Sequence, residues 1–195
     1  MVLAACWSPG KPVSPPPPIE HHDAVAAPAE DRFVAHLTID AQPSGKKFQG
    51  VWLAHGGEKL VVDYRAREFW KSFEGLDVRV TGKRWSPDPR AQAIDAQHFQ
   101  VARLEVADRT QAKRFFAIGP EREVTGNFVH KLGDPGTKSE GSSPLYFEQT
   151  DGTRYEVIGG EDGSGSGTVV VRDVEINPAW AATTGGPFVW ILEVR

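Results

Sequence analysis

Short runs of alternating apolar and polar residues, broken every few positions by glycine or proline, predict an all-β protein folded as two tandem small β-barrels. Three observations carry this expectation. Few segments are long and periodic enough to be helices, and 20 glycines with 15 prolines cut the chain into strand-sized pieces. The stretch from Leu60 to Gly82 reads as strand, short amphipathic helix and strand, and so sets a pattern for one barrel. A looser copy of the surrounding turn and strand signals follows it downstream.

At 195 residues the chain is long enough for one large or two small domains, and 39% hydrophobic with 25% charged residues is the composition of a soluble globular protein. No run approaches the roughly 18 apolar residues of a spanning helix. The net charge of -4 argues against a dedicated nucleic-acid binder, because such domains carry a basic footprint for phosphates. The charge is unevenly spread: basic residues outnumber acidic ones from Lys46 to Val106, and acidic residues predominate from Phe115 to Arg195. If either half meets a polyanion, it is the first. Cys6 is the single cysteine, so no intrachain disulfide forms and the fold rests on packing.

The first segment, residues 1–32, opens on Leu3-Ala4-Ala5-Cys6, which resembles the lipobox of bacterial lipoproteins. That resemblance implies lipidation of Cys6, a membrane partner reached through the lipid anchor, and a place in the cell envelope on its periplasmic or surface side. It also predicts a basic and apolar leader encoded upstream of Met1. Ser8 to Asp31 is rich in proline and alanine, includes Pro15 to Pro18 and has no apolar period, so it is expected to be a disordered, extended tether. His21-His22-Asp23 lies in it, but adjacent histidines in such a segment lack a fixed ligand geometry, and no metal is assigned there.

The first barrel is placed at residues 33–107. Ala35, Leu37 and Ile39 alternate with His36, Thr38 and Asp40, and a turn at Pro43-Ser44-Gly45 leads into Phe48 to Ala54, which together make a hairpin. Gly50 inside that second run marks a bulge or sharp bend. His55-Gly56-Gly57 turns the chain into the run around Leu60, Val61 and Val62. Phe69, Trp70 and Phe73 then recur at helical spacing, with Arg67, Glu68, Lys71 and Glu74 elsewhere around the turn and Gly75 able to end the helix in the left-handed region. This helix reads as a plug with one greasy side. Leu76, Val78 and Val80 share one face of the next strand, Ser86-Pro87-Asp88-Pro89 breaks the chain, and Ala93 to Val106 supplies a closing strand or strand pair.

That order, together with the run from Gly75 to Lys83, resembles an oligonucleotide/oligosaccharide-binding (OB) fold over about 75 residues. The resemblance implies a helix between the third and fourth strands. Whether Phe33 to Asp40 is an added strand or part of strand one is left open by the pattern.

The second barrel is placed at residues 115–195, after the polar stretch Asp108 to Phe116. Val124 to Phe128 echoes Phe48 to Trp52, Asp151 to Val157 echoes Gly56 to Val62, and Leu192 to Val194 echoes Leu104 to Val106. The growing offset puts an insertion of about twelve residues in this copy, at the Gly/Ser-rich loop Gly133 to Ser143. Gly159 to Gly167 stands where Arg65 to Gly75 made a helix, and such a glycine-rich run cannot hold one. An open barrel or a sandwich fits this half as well as an OB-like barrel. Phe188, Trp190, Leu192 and Val194 alternate with Val189, Ile191 and Glu193, so this strand is apolar on both faces until its last turn and is expected to be covered on both sides.

No phosphate loop, metalloprotease helix, Cys-x-x-Cys pair, nucleophile elbow or dinucleotide fingerprint occurs. Gly159-Gly160-Glu161-Asp162-Gly163 fits no calcium-loop spacing and reads as a surface loop. The expectation is a binding protein without catalysis and without a cofactor. OB-type barrels stack bases or sugars on aromatics beside basic groups. The resemblance therefore points to Trp52, Tyr64, Arg79, Lys83, Arg84 and Trp85 in the first barrel, with Trp180 as a loop aromatic in the second. The alternative for these residues is that Trp52 and Tyr64 are core aromatics and the cations a solvated rim. The function expected is that of a binding or adaptor lipoprotein contacting a protein or glycan of the envelope. The alternative is a cytoplasmic single-stranded nucleic-acid binder using the more basic first barrel, with an envelope hydrolase as a third reading.

Overall fold

The structure is a computed structural model that describes residues 30–41, 49–87, 96–130, 136, 144–180 and 187–195. Cys6 and the tether as far as Ala29, the turn at 43–45, and the loop at 133–143 apart from Gly136 lie outside the described residues, while Asp31, expected at the end of the tether, instead begins the first strand. The chain is all-β, with two tandem rings of five strands each and one short helix in the first.

The first barrel consists of β1 (Asp31–Ile39), β2 (Val51–His55), β3 (Glu58–Asp63), the helix α1 (Glu68–Lys71), β4 (Asp77–Trp85) and β5 (His98–Val106). Antiparallel pairing joins β3 to β2, β2 to β1, β1 to β4 and β4 to β5, and a parallel contact at Val61 and His98 brings β5 back to β3. Phe33 to Asp40 is therefore strand one itself, and α1 falls between the third and fourth strands. Alternation decides which side of each strand enters the barrel: Leu37, Val51, Leu53, Leu60, Val78 and Val80 are buried inside, with Leu76 beside them.

The second barrel repeats this ring. It is built from β6 (Phe115–His130), β7 (Leu145–Gln149), β8 (Arg154–Gly160), β9 (Ser166–Ile176) and β10 (Phe188–Val194). β6 pairs with β7, β7 with β8, β8 in parallel with β10, β10 with β9, and β9 with β6. It is a closed barrel, and the chain passes from β8 to β9 without a helix, as the glycine content requires. The echo between Gly50 and Gly126 does not hold, however. Gly50 precedes the second strand of its barrel, whereas Gly126 lies within β6, the first strand of the other. Glycine between apolar and polar residues recurs wherever a strand bends, so local resemblance misaligned the copies there. The echoes at Asp151 to Val157 and at Leu192 to Val194 do join equivalent strands.

The barrels are not separate beads. β5 pairs with the start of β6 at Leu104 with Ile118 and Glu105 with Ala117, which links all the strands into one sheet. The register of β6 against β9 then shifts between Ile118 and Glu121, a bulge that accommodates the exposed Pro120 and carries the rest of β6 into the second barrel. One apolar cluster fills the first barrel and extends through Phe115, Ile118, Val174, Trp190 and Leu192. The other, with Val124, Phe128, Phe147, Val169, Val171, Val189 and Ile191, fills the second. β10 thus divides the cores, sending Trp190 and Leu192 one way and Val189 and Ile191 the other, and all four are buried. This is the physical meaning of its two apolar faces.

α1 is a single turn, too short to persist by propensity, and packing holds it. Phe69 and Trp70 lie with ring centroids 4.6 Å apart, Phe69 meets Trp190 at 5.8 Å, and Phe73 meets Phe115 at 6.4 Å. Gly75, at φ +76°, reverses the chain after it, and its N–H donates to the Leu37 carbonyl at 2.9 Å. The helix plugs the first barrel with the same side chains that meet the second.

Candidate functional site

The outward side of the first barrel carries a row set by strand register. Trp52 stands opposite Val61, Val61 opposite His98, and His98 opposite Trp85, so these four residues share a face across β2, β3, β5 and β4. Their neighbours Leu53, Leu60 and Phe99 belong to the core, which fixes the row on the outside. His98 is nevertheless almost fully buried, because Trp85 covers it with ring centroids 4.9 Å apart and Tyr64 with centroids 5.4 Å apart. The Tyr64 hydroxyl is hydrogen-bonded to His98 Nε2. Trp85 itself remains 46% exposed.

Beside this corner runs the seam between the barrels. Glu121 of β6 borders a hollow of about 210 Å³ lined by Tyr64, Arg67, Trp85 and His98, and also a second of about 210 Å³ lined by Lys83, Gln100, Pro120 and Arg172. Arg172, from β9, is buried at the junction. Its Nη1 donates to the Gly119 carbonyl at 2.6 Å and the Val101 carbonyl at 3.2 Å, its Nη2 donates to Glu121 Oε1 at 2.8 Å, and its guanidinium lies 5.9 Å from the Trp70 ring centroid. Burial holds its pKa below the usual arginine range, opposed chiefly by the Glu121 carboxylate. Asp63 accepts from Trp70 Nε1 at 2.8 Å and lies 3.6 Å from Arg67 Nε, while Arg67 Nη1 reaches the Leu192 carbonyl at 3.3 Å. Charged residues therefore tie the plug helix, the row and the second barrel together.

Of the residues singled out from sequence, Tyr64, Lys83 and Trp85 converge on this corner. Trp52 lies on the same row beyond Val61, half-buried, with its indole edge over Gly50, where an added Cβ would stand 2.6 Å from Nε1. Neither Trp52 nor Tyr64 belongs to either core cluster. Arg84 ends β4 as a latch: it donates to Asp31 at 3.0 Å, Glu58 at 2.8 Å and Gln97 at 2.9 Å, and the hydrogen bond to Glu58 leads in raising its pKa. Arg79 pairs with Glu105 at 3.6 Å farther along β4. Trp180 is 67% exposed beyond the end of β9, on a turn pinned by Asn177, whose side-chain amide donates to the carbonyls of Ala112 at 3.0 Å and Lys113 at 2.9 Å.

Sequence reasoning missed His98, Glu121 and Arg172. Arg172 had a signal, a lone cation inside the apolar run from Val169 to Val174. His98 and Glu121 had none, since each owes its position to a strand distant in sequence. Among the described residues no three His, Cys, Asp or Glu side chains lie close enough together to hold a metal ion. Compared with protein families, with curated proteins and with solved structures, the chain matches none.

Proposed function

We propose that this protein is a non-catalytic binding module of the bacterial cell envelope, anchored through a lipid on Cys6, that holds a glycan or protein ligand against the outward aromatic row of its first barrel. The observation that supports this reading is the register itself, which lines up Trp52, Val61, His98 and Trp85 across four strands and leaves the Trp85 indole half exposed at its end. Stacking platforms of this kind on the middle strands of OB-like barrels suit bases and sugars. The test is co-sedimentation of the full chain with isolated envelope fractions. Binding that falls severalfold in Trp85→Ala supports the row as the contact face. Equal binding by Trp85→Ala removes the face, and no binding to any fraction removes the reading. The anchor is tested separately: labelled fatty acid is incorporated by the native chain expressed with its upstream sequence and lost in Cys6→Ser.

The second reading, a single-stranded nucleic-acid binder, is favoured by Lys83 beside Trp85, but Arg84 is already engaged by two carboxylates. It predicts oligonucleotide binding that weakens steeply with salt and is lost in Trp85→Ala. Salt-independent or undetectable binding removes it.

A further inference from the structure

Two side chains at the seam, each more than nine-tenths buried, have a nitrogen without a hydrogen-bond partner among the described residues: Arg172 at Nε and His98 at Nδ1. Glu121 borders both the hollow that Arg172 lines and the hollow that His98 lines. Arg172 Nε always carries a proton. His98 Nε2 is engaged by the Tyr64 hydroxyl, so Nδ1 is the ring nitrogen left without a partner. Arg172 Nε is thus a buried donor without an acceptor, which is costly. Burial leaves the Arg172 guanidinium under-compensated, which favours an acceptor-rich group beside it.

The protein already shows which group fits. Glu121 places its own carboxylate on Arg172 Nη2 at 2.8 Å while its side chain remains 57% exposed, so it can turn outward into solvent. With Glu121 turned out, Arg67, Lys83 and Arg172 face Asp63 and Glu30, an imbalance of one positive charge. One carboxylate neutralises it, whereas a dianionic phosphate exceeds it. Trp85, on the same wall, offers its exposed side to the C–H face of a sugar ring. Each hollow is small, suited to a single ring and its substituent.

We propose that the seam is a carboxylate subsite for an acidic sugar, whose ring stacks on Trp85 while its carboxylate displaces Glu121 from Arg172. This rests on the reading of the aromatic row as a ligand face. It makes Glu121 an internal competitor that occupies the subsite in the free protein.

The test titrates the full chain with D-glucuronate and N-acetylmuramate, with their neutral parents D-glucose and N-acetylglucosamine, and with inorganic phosphate. The Trp85 indole N–H is followed by NMR and assigned with Trp85→Phe. The acidic sugars are expected to shift that signal and to bind at least about tenfold more tightly than the neutral ones. Glu121→Ala, a change at an exposed side chain, is expected to tighten the acidic sugars by about threefold to tenfold and to leave the neutral ones unchanged. Arg67→Ala and Lys83→Ala weaken only the acidic ones. Equal shifts by acidic and neutral sugars overturn the carboxylate subsite and leave the aromatic face standing. Tighter binding of phosphate than of glucuronate overturns the choice of anion. Absence of any Trp85 shift overturns the subsite, and envelope co-sedimentation by Trp85→Ala then judges the wider reading by itself.

Discussion

Between their third and fourth strands the two barrels part company: the first inserts a one-turn helix bearing Phe69 and Trp70, followed by a turn bearing Phe73, whereas the second crosses from Gly160 to Ser166 on a few polar and glycine residues. The consequence reaches beyond the connection. In the first barrel the helix plugs the core and turns its rings toward Phe115 and Trp190 of the second, so one apolar cluster spans both units. The second barrel supplies no plug of its own and instead presents the outer side of β10 to the first. Two copies of one strand order thereby become a single packed body, because the element present in only one copy occupies the space between them.

The largest effect is expected at this shared plug. Phe73→Ala should destabilise the protein by about 3–5 kcal/mol, the range for deleting a buried phenyl ring. Because the ring touches Phe115, amide exchange should accelerate in β6 and β10 as well as in β4. Phe147→Ala, inside the second core, should cost a similar amount with the loss centred on the second barrel. Exchange in β10 unaltered by Phe73→Ala would break the picture of a shared core.

Next comes Arg172→Met, which keeps the bulk of the side chain and removes the donors to Gly119 and Val101. Leaving buried carbonyls unsatisfied should cost about 2–3 kcal/mol in urea denaturation. A stability equal to the native protein would mean that the seam is held by apolar packing alone.

A smaller loss is expected for Gly75→Ala, about 1–2 kcal/mol for a Cβ in the left-handed region, since the added atom meets open space. It sharpens the contrast, because the helix that Gly75 ends has no counterpart in the second barrel.

The smallest effect separates the two hairpin turns. Asp151, in the turn between β7 and β8, accepts from the Thr153 backbone N–H at 2.8 Å, and that bond, followed by the Thr153 hydroxyl, holds its carboxyl below the ordinary value of 3.8. A lowered folded-state pKa means that the contribution is fully present above the ordinary carboxylate value and is lost as pH falls through the lowered one. The stability difference between the native protein and Asp151→Asn should therefore be present at neutral pH and vanish in strong acid, as read from denaturation midpoints across that range. The equivalent turn of the first barrel, at Gly56-Gly57, carries no such carboxylate and should show no such pH dependence of its own.

Much of the fold was legible. Alternation placed Leu76, Val78 and Val80 inside, the spacing of Phe69 and Trp70 named a helix that proved to be one turn ending before Phe73, and the two apolar faces of Phe188 to Val194 announced a strand covered on both sides. Of the site, Tyr64, Lys83 and Trp85 were named, but not the histidine and the seam around which they gather, and Arg84 proved to be a latch to Asp31 and Glu58. The misalignment of Gly126 with Gly50 has the same origin: a bend leaves a local mark, but its place in a barrel depends on partners.

By itself the sequence determined which residues form strands and which of their sides turn inward, because side-chain direction repeats every two residues and needs no knowledge of the rest of the chain. Only the tertiary structure decided that Trp52, Val61, His98 and Trp85 fall into one row, that Glu121 meets Arg172, and that the plug of one barrel seals against the other. Those relations depend on the register between distant strands and on which outer faces meet, and both are settled by long-range packing free energy that no local period encodes.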